Sequence, residues 1–183
     1  MRILPAHDKE ATVAATAALD AGELVIVPCD LRYFVVADAL DDEAVDRLFV
    51  ATQRGADRPL TVIVSGYEDL HHVAYGGAGA RELAEKHWPG PTVISVKPRP
   101  WIPDTVTAGH AALRTMAPRS EVTRTLARGF GPLAAAGARV QGQLDSLDAT
   151  SAAARLGGSI AVTLDGGTLP GGEEAYVLAQ GST

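Results

Sequence analysis

Leu24-Val25-Ile26-Val27-Pro28-Cys29-Asp30-Leu31-Arg32-Tyr33-Phe34-Val35-Val36 holds two short β-rich runs on either side of a proline and a polar corner. Pro28 stops the first run, and the pair reads as adjacent strands. Upstream, Asp8 is placed to cap an alanine-rich helix reaching about Ala21 and ended by Gly22. Downstream, Asp41-Asp42-Glu43 puts acid at a helix start, with Ala44, Val45, Leu48 and Phe49 on one face and a break near Gly55. Leu60–Val64 is the clearest strand. Helical stretches follow around Glu68–Ala74 and Ala80–His87, the second stopped by Trp88-Pro89-Gly90-Pro91.

The alternation continues to the end. Strands are expected at Thr92–Val96, Ala112–Thr115 and Ser159–Leu164, with Leu133–Ala136 a buried run and Tyr176-Val177-Leu178 a last strand. Prolines 98, 100 and 103 make an irregular connection. Helices are expected from a cap at Ser120 to Arg128 and from Asp148 through Leu156, with Gly137–Ser146 a polar loop. Strands and helices alternating without repeats or linkers predict one α/β domain over 1–183, its core about 11–177, with a mixed sheet and flanking helices.

Composition excludes several classes. The 183 residues are 46% hydrophobic and 21% charged, which is globular rather than disordered. No apolar run approaches the roughly 18–20 residues of a membrane span, and the start has no long apolar segment of a secretory signal. A soluble cytoplasmic protein is expected. Cys29 is the only cysteine, which rules out an internal disulfide and a multi-cysteine metal site. Beside Asp30 it reads as an idle, packed thiol. His71 and His72 are sequence neighbours that point apart on a helix, so no metal site is expected there. The glycine runs fit no phosphate-loop spacing.

Charge is unevenly spread. The total is −6, yet residues 97–139 carry seven basic side chains against Asp104 and Glu121, giving +5. An acidic chain with a basic middle suits a local site for a phosphate or an RNA backbone better than a general nucleic-acid coat.

One ordered set of residues is more specific. Pro28-x-Asp30-x-x-Tyr33 is followed by Gln53-Arg54, Arg58-Pro59-Leu60, Trp88-Pro89-Gly90-Pro91-Thr92, Leu113-Arg114 with Pro118, Pro132–Ala135 with Ala138 and Gly142, and Asp165-Gly166-Gly167. This order resembles the YrdC-like family, which includes the threonylcarbamoyl-AMP synthases, over nearly the whole chain. The resemblance implies an α/β domain with a twisted sheet and a concave basic face. It also implies a reaction that condenses threonine, bicarbonate and ATP into threonylcarbamoyl-AMP with release of pyrophosphate, feeding the threonylcarbamoyladenosine modification of tRNA. Double-stranded RNA binding is associated with the family as well.

The chain departs from the family's pattern at polar positions. Pro-Thr-Asp-Thr-x-Tyr-Gly-Leu stands here as Pro28-Cys29-Asp30-Leu31-Arg32-Tyr33-Phe34-Val35, and Lys-x-Arg as Thr52-Gln53-Arg54. Arg114 is kept, with its proline delayed to Pro118. Ser-Ala-Asn becomes Gly137-Ala138-Arg139, and Ser-Thr-Val aligns with Glu174-Ala175-Tyr176, which would put an acid near triphosphate. Losing one aimed transition-state donor costs about 2.7–4 kcal/mol. The leading expectation is therefore a divergent binding protein for a nucleotide, RNA or other anion, its synthase activity lost and no catalytic residue assigned. The first alternative is an active synthase or related carbamoyl- or adenylyl-transfer enzyme, which would use ATP and magnesium. The second is a protein-interaction module, including a homodimer, with a vestigial cleft. Tyr33, Arg54, Arg114 and Arg139 are the ligand candidates, with Arg32, Asp30 and Arg58 behind them.

Overall fold

A computed structural model of the chain describes residues 1–179. The strands are β1 (Arg2–Pro5), β2 (Leu24–Pro28), β3 (Tyr33–Asp38), β4 (Thr61–Ile63), β5 (Ala74–Tyr75), β6 (Thr92–Pro98), β7 (Leu113–Met116), β8 (Leu133–Gly137), β9 (Ile160–Asp165) and β10 (Ala175–Leu178). The helices are α1 (Lys9–Asp20), α2 (Asp42–Thr52), α3 (Ala78–His87), α4 (Asp104–Thr107), α5 (Glu121–Phe130) and α6 (Ala149–Leu156). The strands form one mixed sheet in the order β1-β9-β2-β3-β8-β4-β7-β6-β10, with β5 added to the far end of β6. The opening pair is an antiparallel hairpin, Val27 opposite Phe34 and Pro28 opposite Tyr33.

Alternating side chains divide the strands between two cores, as a sheet covered on both faces requires. Leu24, Ile26, Val35 and Ala134 pack with α2, α3 and α6 on one face. Val25, Val27, Phe34, Val36 and Leu133 pack with α1 and α5 on the other. Two helices cover that second face, and they leave part of it open. Among the described residues no helix is long and apolar enough to cross a membrane.

Local chemistry explains where elements differ from expectation. Asp41 caps α2 through Glu43 and Ala44 N–H, and Asp148 caps α6 through Ser151 N–H. Asp8 and Ser120 stand at the N-cap positions of α1 and α5 without such a bond, and the Ser120 hydroxyl turns to Thr123 Oγ1 instead. The stretch expected as a helix at Glu68–Ala74 is a tighter 3₁₀ turn at Tyr67–His72 that runs into β5. The proline-rich connection holds one short turn, α4. β1 lies before the expected core and pairs in parallel with β9; the expected domain also includes 180–183, which fall outside the described residues. Gly90 ends the Trp-Pro-Gly-Pro stop, because a Cβ there would come within 2.5 Å of the His87 carbonyl.

Candidate functional site

Sheet register builds the floor of a cleft on the open part of the α1/α5 face. Ala135 on β8 pairs with Thr61 on β4, and Thr61 with Arg114 on β7, so the three side chains lie in one row. Phe34 lines the same space and is itself almost wholly buried. The cleft has a cavity volume of about 130 Å³ and opens to solvent.

Among the described residues five arginines line it, at 32, 54, 58, 114 and 139, and no carboxylate does. Arg54 arrives from the end of α2. There Gln53 turns into the left-handed region at φ 49°, and Arg54 N–H closes back on the Phe49 carbonyl. The guanidinium then donates to the carbonyls of Arg58 (3.0 Å) and Pro59 (2.7 Å), which fixes its direction. Burial, then repulsion from Arg58 and Arg114, pulls Arg54 down to about 10, still cationic at neutral pH. Arg114 projects beside Tyr176 of β10, its guanidinium carbon 5.2 Å from the ring centre. Among the described residues Arg54, Arg58 and Arg114 form no ion pair.

Arg32 and Arg139 stand differently. Arg32 holds Glu174 with two bonds, Nε–Oε1 at 3.1 Å and Nη2–Oε2 at 2.5 Å, and Asp145 with a third at 2.9 Å. Burial works against the Arg32 charge, and these carboxylate partners outweigh it, leaving its pKa raised. Arg139 Nε lies 3.2 Å from the same Asp145, and its Nη1 donates to the Gln143 carbonyl. Two cations and two anions thus close a neutral network at the rim. The acid at 174, which the family resemblance implies would lie near triphosphate, is already neutralised by Arg32.

Two candidates lie elsewhere. Tyr33 is 0% exposed and does not line the cleft. Its hydroxyl donates to the Gly167 carbonyl (2.7 Å) and accepts from Gly166 N–H (3.0 Å), and burial pushes the phenol up to about 12. A Cβ at Gly166 would meet Pro28 at 2.7 Å, so Pro28, Tyr33 and the Asp-Gly-Gly turn form one interlocked joint rather than a pocket wall. Asp30 faces away and accepts the backbone N–H of Arg119 at 2.7 Å. The basic segment 97–139 does not form one patch. Arg114 and Arg139 enter the cleft, Arg119 and Arg124 lie by Asp30, and Arg99 stacks on Tyr75 at 4.1 Å. Cys29 is buried, and burial, then the carboxylates of Asp30 and Glu174, push its thiol well above the ordinary range. Sequence reasoning missed Tyr176 and Asp145 as site residues; the aromatic on a short final strand was the available signal for the first.

The fold is thus an α/β sheet with an arginine-lined cleft on its open face. The chain belongs to the Sua5/YciO/YrdC family, whose model, described as "Telomere recombination", matches residues 17–181. A Mycobacterium tuberculosis relative, named provisionally as a threonylcarbamoyl-AMP synthase, is 34% identical over 164 residues, or 89% of this chain and 76% of the relative. The threonylcarbamoyl-AMP synthase of Pyrococcus abyssi is 31% identical, over 86% of this chain and 47% of its own length. The crystal structure of Pyrococcus abyssi Sua5 complexed with L-threonine has a TM-score of 0.90 and 28% identity, covering 97% of this chain and 54% of that one. The chain therefore spans about three quarters of the mycobacterial relative and about half of the archaeal ones. These relatives do not support the expectation that activity is lost; they favour the active alternative.

Proposed function

We propose that this chain is a nucleotidyl-transfer enzyme of the threonylcarbamoyl-AMP synthase type. The observation that carries the reading is the set of three cations lining one cleft, Arg54, Arg58 and Arg114, that form no ion pair among the described residues. Its setting in a fold shared with synthase-named relatives supports it. In the reaction, threonine and bicarbonate supply a carbamate whose oxygen attacks the α-phosphorus of ATP. The bond to the bridging oxygen breaks, and pyrophosphate leaves with the electron pair. Such a transfer needs little covalent help from the protein. It needs anionic groups held together and the migrating charge stabilised.

Arg54 is oriented for this before substrate arrives, because two backbone carbonyls already hold its guanidinium. Fixed donors stabilise a transition state without having to reorganise. Among the described residues the cleft lining contains no carboxylate, and the nearby Glu174 and Asp145 are occupied by arginines, so these residues do not build a magnesium site. Magnesium in this reading travels on the substrate phosphates, as that ion commonly does. The product adenylate would then pass to a tRNA-modifying step.

The test is direct. The protein is incubated with L-threonine, bicarbonate, magnesium and ATP, and pyrophosphate and the adenylate adduct are followed. Turnover that requires both threonine and bicarbonate is the expected result. Pyrophosphate release no greater than that of Arg114→Ala would remove the proposal.

A further inference from the structure

We infer that the buried Arg32–Glu174 pair is a clamp that positions Tyr176 as the nucleoside-facing wall of the cleft. The inference rests on the nucleotide-binding reading above and adds a specificity-determining residue to it.

The connection from Asp165 to β10 is a strap of nine residues, 166–174. Backbone bonds lay it across two loops: Leu169 N–H to the Leu147 carbonyl at 2.8 Å and Gly171 N–H to the Leu31 carbonyl at 2.8 Å. Its last residue, Glu174, has a side chain 3% exposed and makes the two-pronged contact to Arg32 on the β2–β3 corner. Such paired geometry fixes orientation as well as distance. Tyr176 follows two residues later. It lines the cleft and remains 54% exposed, with Arg114 on its ring.

β10 is held to the sheet by its ladder, by Ala175 N–H to the Pro91 carbonyl and Ala179 N–H to the Ser95 carbonyl, and by Val177 and Ala179 against the core. None of these fixes the cleft-side position of Tyr176 from the strap side. It is the outermost strand, with a four-residue parallel ladder to β6. Tyr176 is opposite Val93, whose side chain belongs to the cleft-side core, so the ring emerges on the cleft face. An exposed aromatic at the rim of a phosphate-binding cleft has one evident use. It offers a flat apolar surface to a nucleobase while the arginines hold the phosphates.

Charge and positioning make opposite predictions, which makes the clamp testable. Glu174→Gln raises the net charge of the rim by one, so electrostatics alone would tighten any anion. The clamp instead lets Tyr176 drift. The ratio of ATP to tripolyphosphate affinity, measured by calorimetry, cancels most of the charge effect and reads the nucleoside contact. We expect this ratio to fall about tenfold in Glu174→Gln and equally in Tyr176→Ala, and to be kept in Tyr176→Phe. Amide exchange across 175–178 should speed up in Glu174→Gln alone.

An unchanged ratio in Glu174→Gln, with β10 as protected as in wild type, would overturn the clamp. So would a wild type that binds ATP no more tightly than tripolyphosphate. Neither result depends on turnover: loss of pyrophosphate release removes the synthase reading and leaves the ratio readable, and a failed ratio with turnover intact removes the clamp alone.

Discussion

Arg54, Arg58 and Arg114 share a cleft with Arg32 and Arg139, and the two sets do different work. The first three have no carboxylate partner among the described residues, and burial, then their mutual repulsion, pulls Arg54 down. Arg32 and Arg139 are matched charge for charge by Glu174 and Asp145. Unbalanced cations concentrated in one place are destabilising to the free protein and are relieved by an anion. Balanced ones are relieved already, and they fasten three loops together. Net positive charge in a pocket is therefore a poor guide to which arginine meets the ligand; the partners must be counted.

The largest effect should come from the unbalanced set. Removing one hydrogen bond to a charged group costs about 1.5–3 kcal/mol, so Arg114→Ala should weaken ATP binding about 10- to 150-fold. Arg54→Ala should act alike, with a further loss because its guanidinium also ties down the Arg58–Pro59 carbonyls. Calorimetric titration against wild type checks both. An effect under threefold at either position would erase the distinction between the two sets.

The next effect concerns stability and not binding. Tyr33→Phe deletes the hydroxyl that joins β3 to the Asp165–Gly167 turn and leaves Gly166 N–H and Gly167 C=O short of a partner. At about 2 kcal/mol for such orphaned groups, Tm should fall by roughly 4–8 °C. Anion affinity should stay near wild type, since the ring lies outside the cleft. A loss of affinity with Tm intact would return Tyr33 to the binding surface.

A smaller effect is expected at the cap of α6. Asp148→Ala should cost about 1 kcal/mol, near 2–4 °C in Tm. The bond from Ser151 N–H holds the Asp148 pKa below its ordinary value. A depressed carboxylate stabilises above its unfolded pKa and loses that contribution as pH falls through the folded one. The penalty of the variant should thus be full at pH 7 and shrink below pH about 4. A penalty constant with pH would mean that packing, and not the cap, is what the alanine removes.

The fold was largely legible because its signals are local. The Leu24–Val36 hairpin follows from β-rich runs around Pro28, and the stops at Gly22 and Gly90 from backbone geometry. β1 escaped because Arg2–Pro5 has no pattern of its own and is a strand only by pairing with β9, about 160 residues away. The arginines at 54, 114 and 139 could be picked out as cations beside matched motifs. Their division into free and neutralised could not, because Arg32 meets Glu174 across 142 residues of sequence. For the same reason Glu174 reads from sequence as an obstacle to phosphate, and the structure makes it a partner. Tyr33 is marked by motif membership, and the structure places its hydroxyl in the joint with Gly166 and Gly167, outside the cleft lining.

The smallest effect belongs to the balanced set and tests the comparison most sharply. Arg139→Ala removes a cation whose charge Asp145 already offsets, so the direct loss at the ligand should be slight. It leaves Asp145 in excess, however, and the rim passes from neutral to one net negative charge. That excess acts on a bound anion through a partly screened medium and should weaken ATP binding about threefold to tenfold, less at high salt. Arg139→Ala/Asp145→Ala takes away the cation and its anion together, and Arg32 with Glu174 still sums to zero. The double variant should therefore bind ATP within about twofold of wild type, although it has lost an arginine from the cleft. If it binds as poorly as the single variant, Arg139 touches the ligand itself, and the line drawn between the two sets of arginines falls in the wrong place.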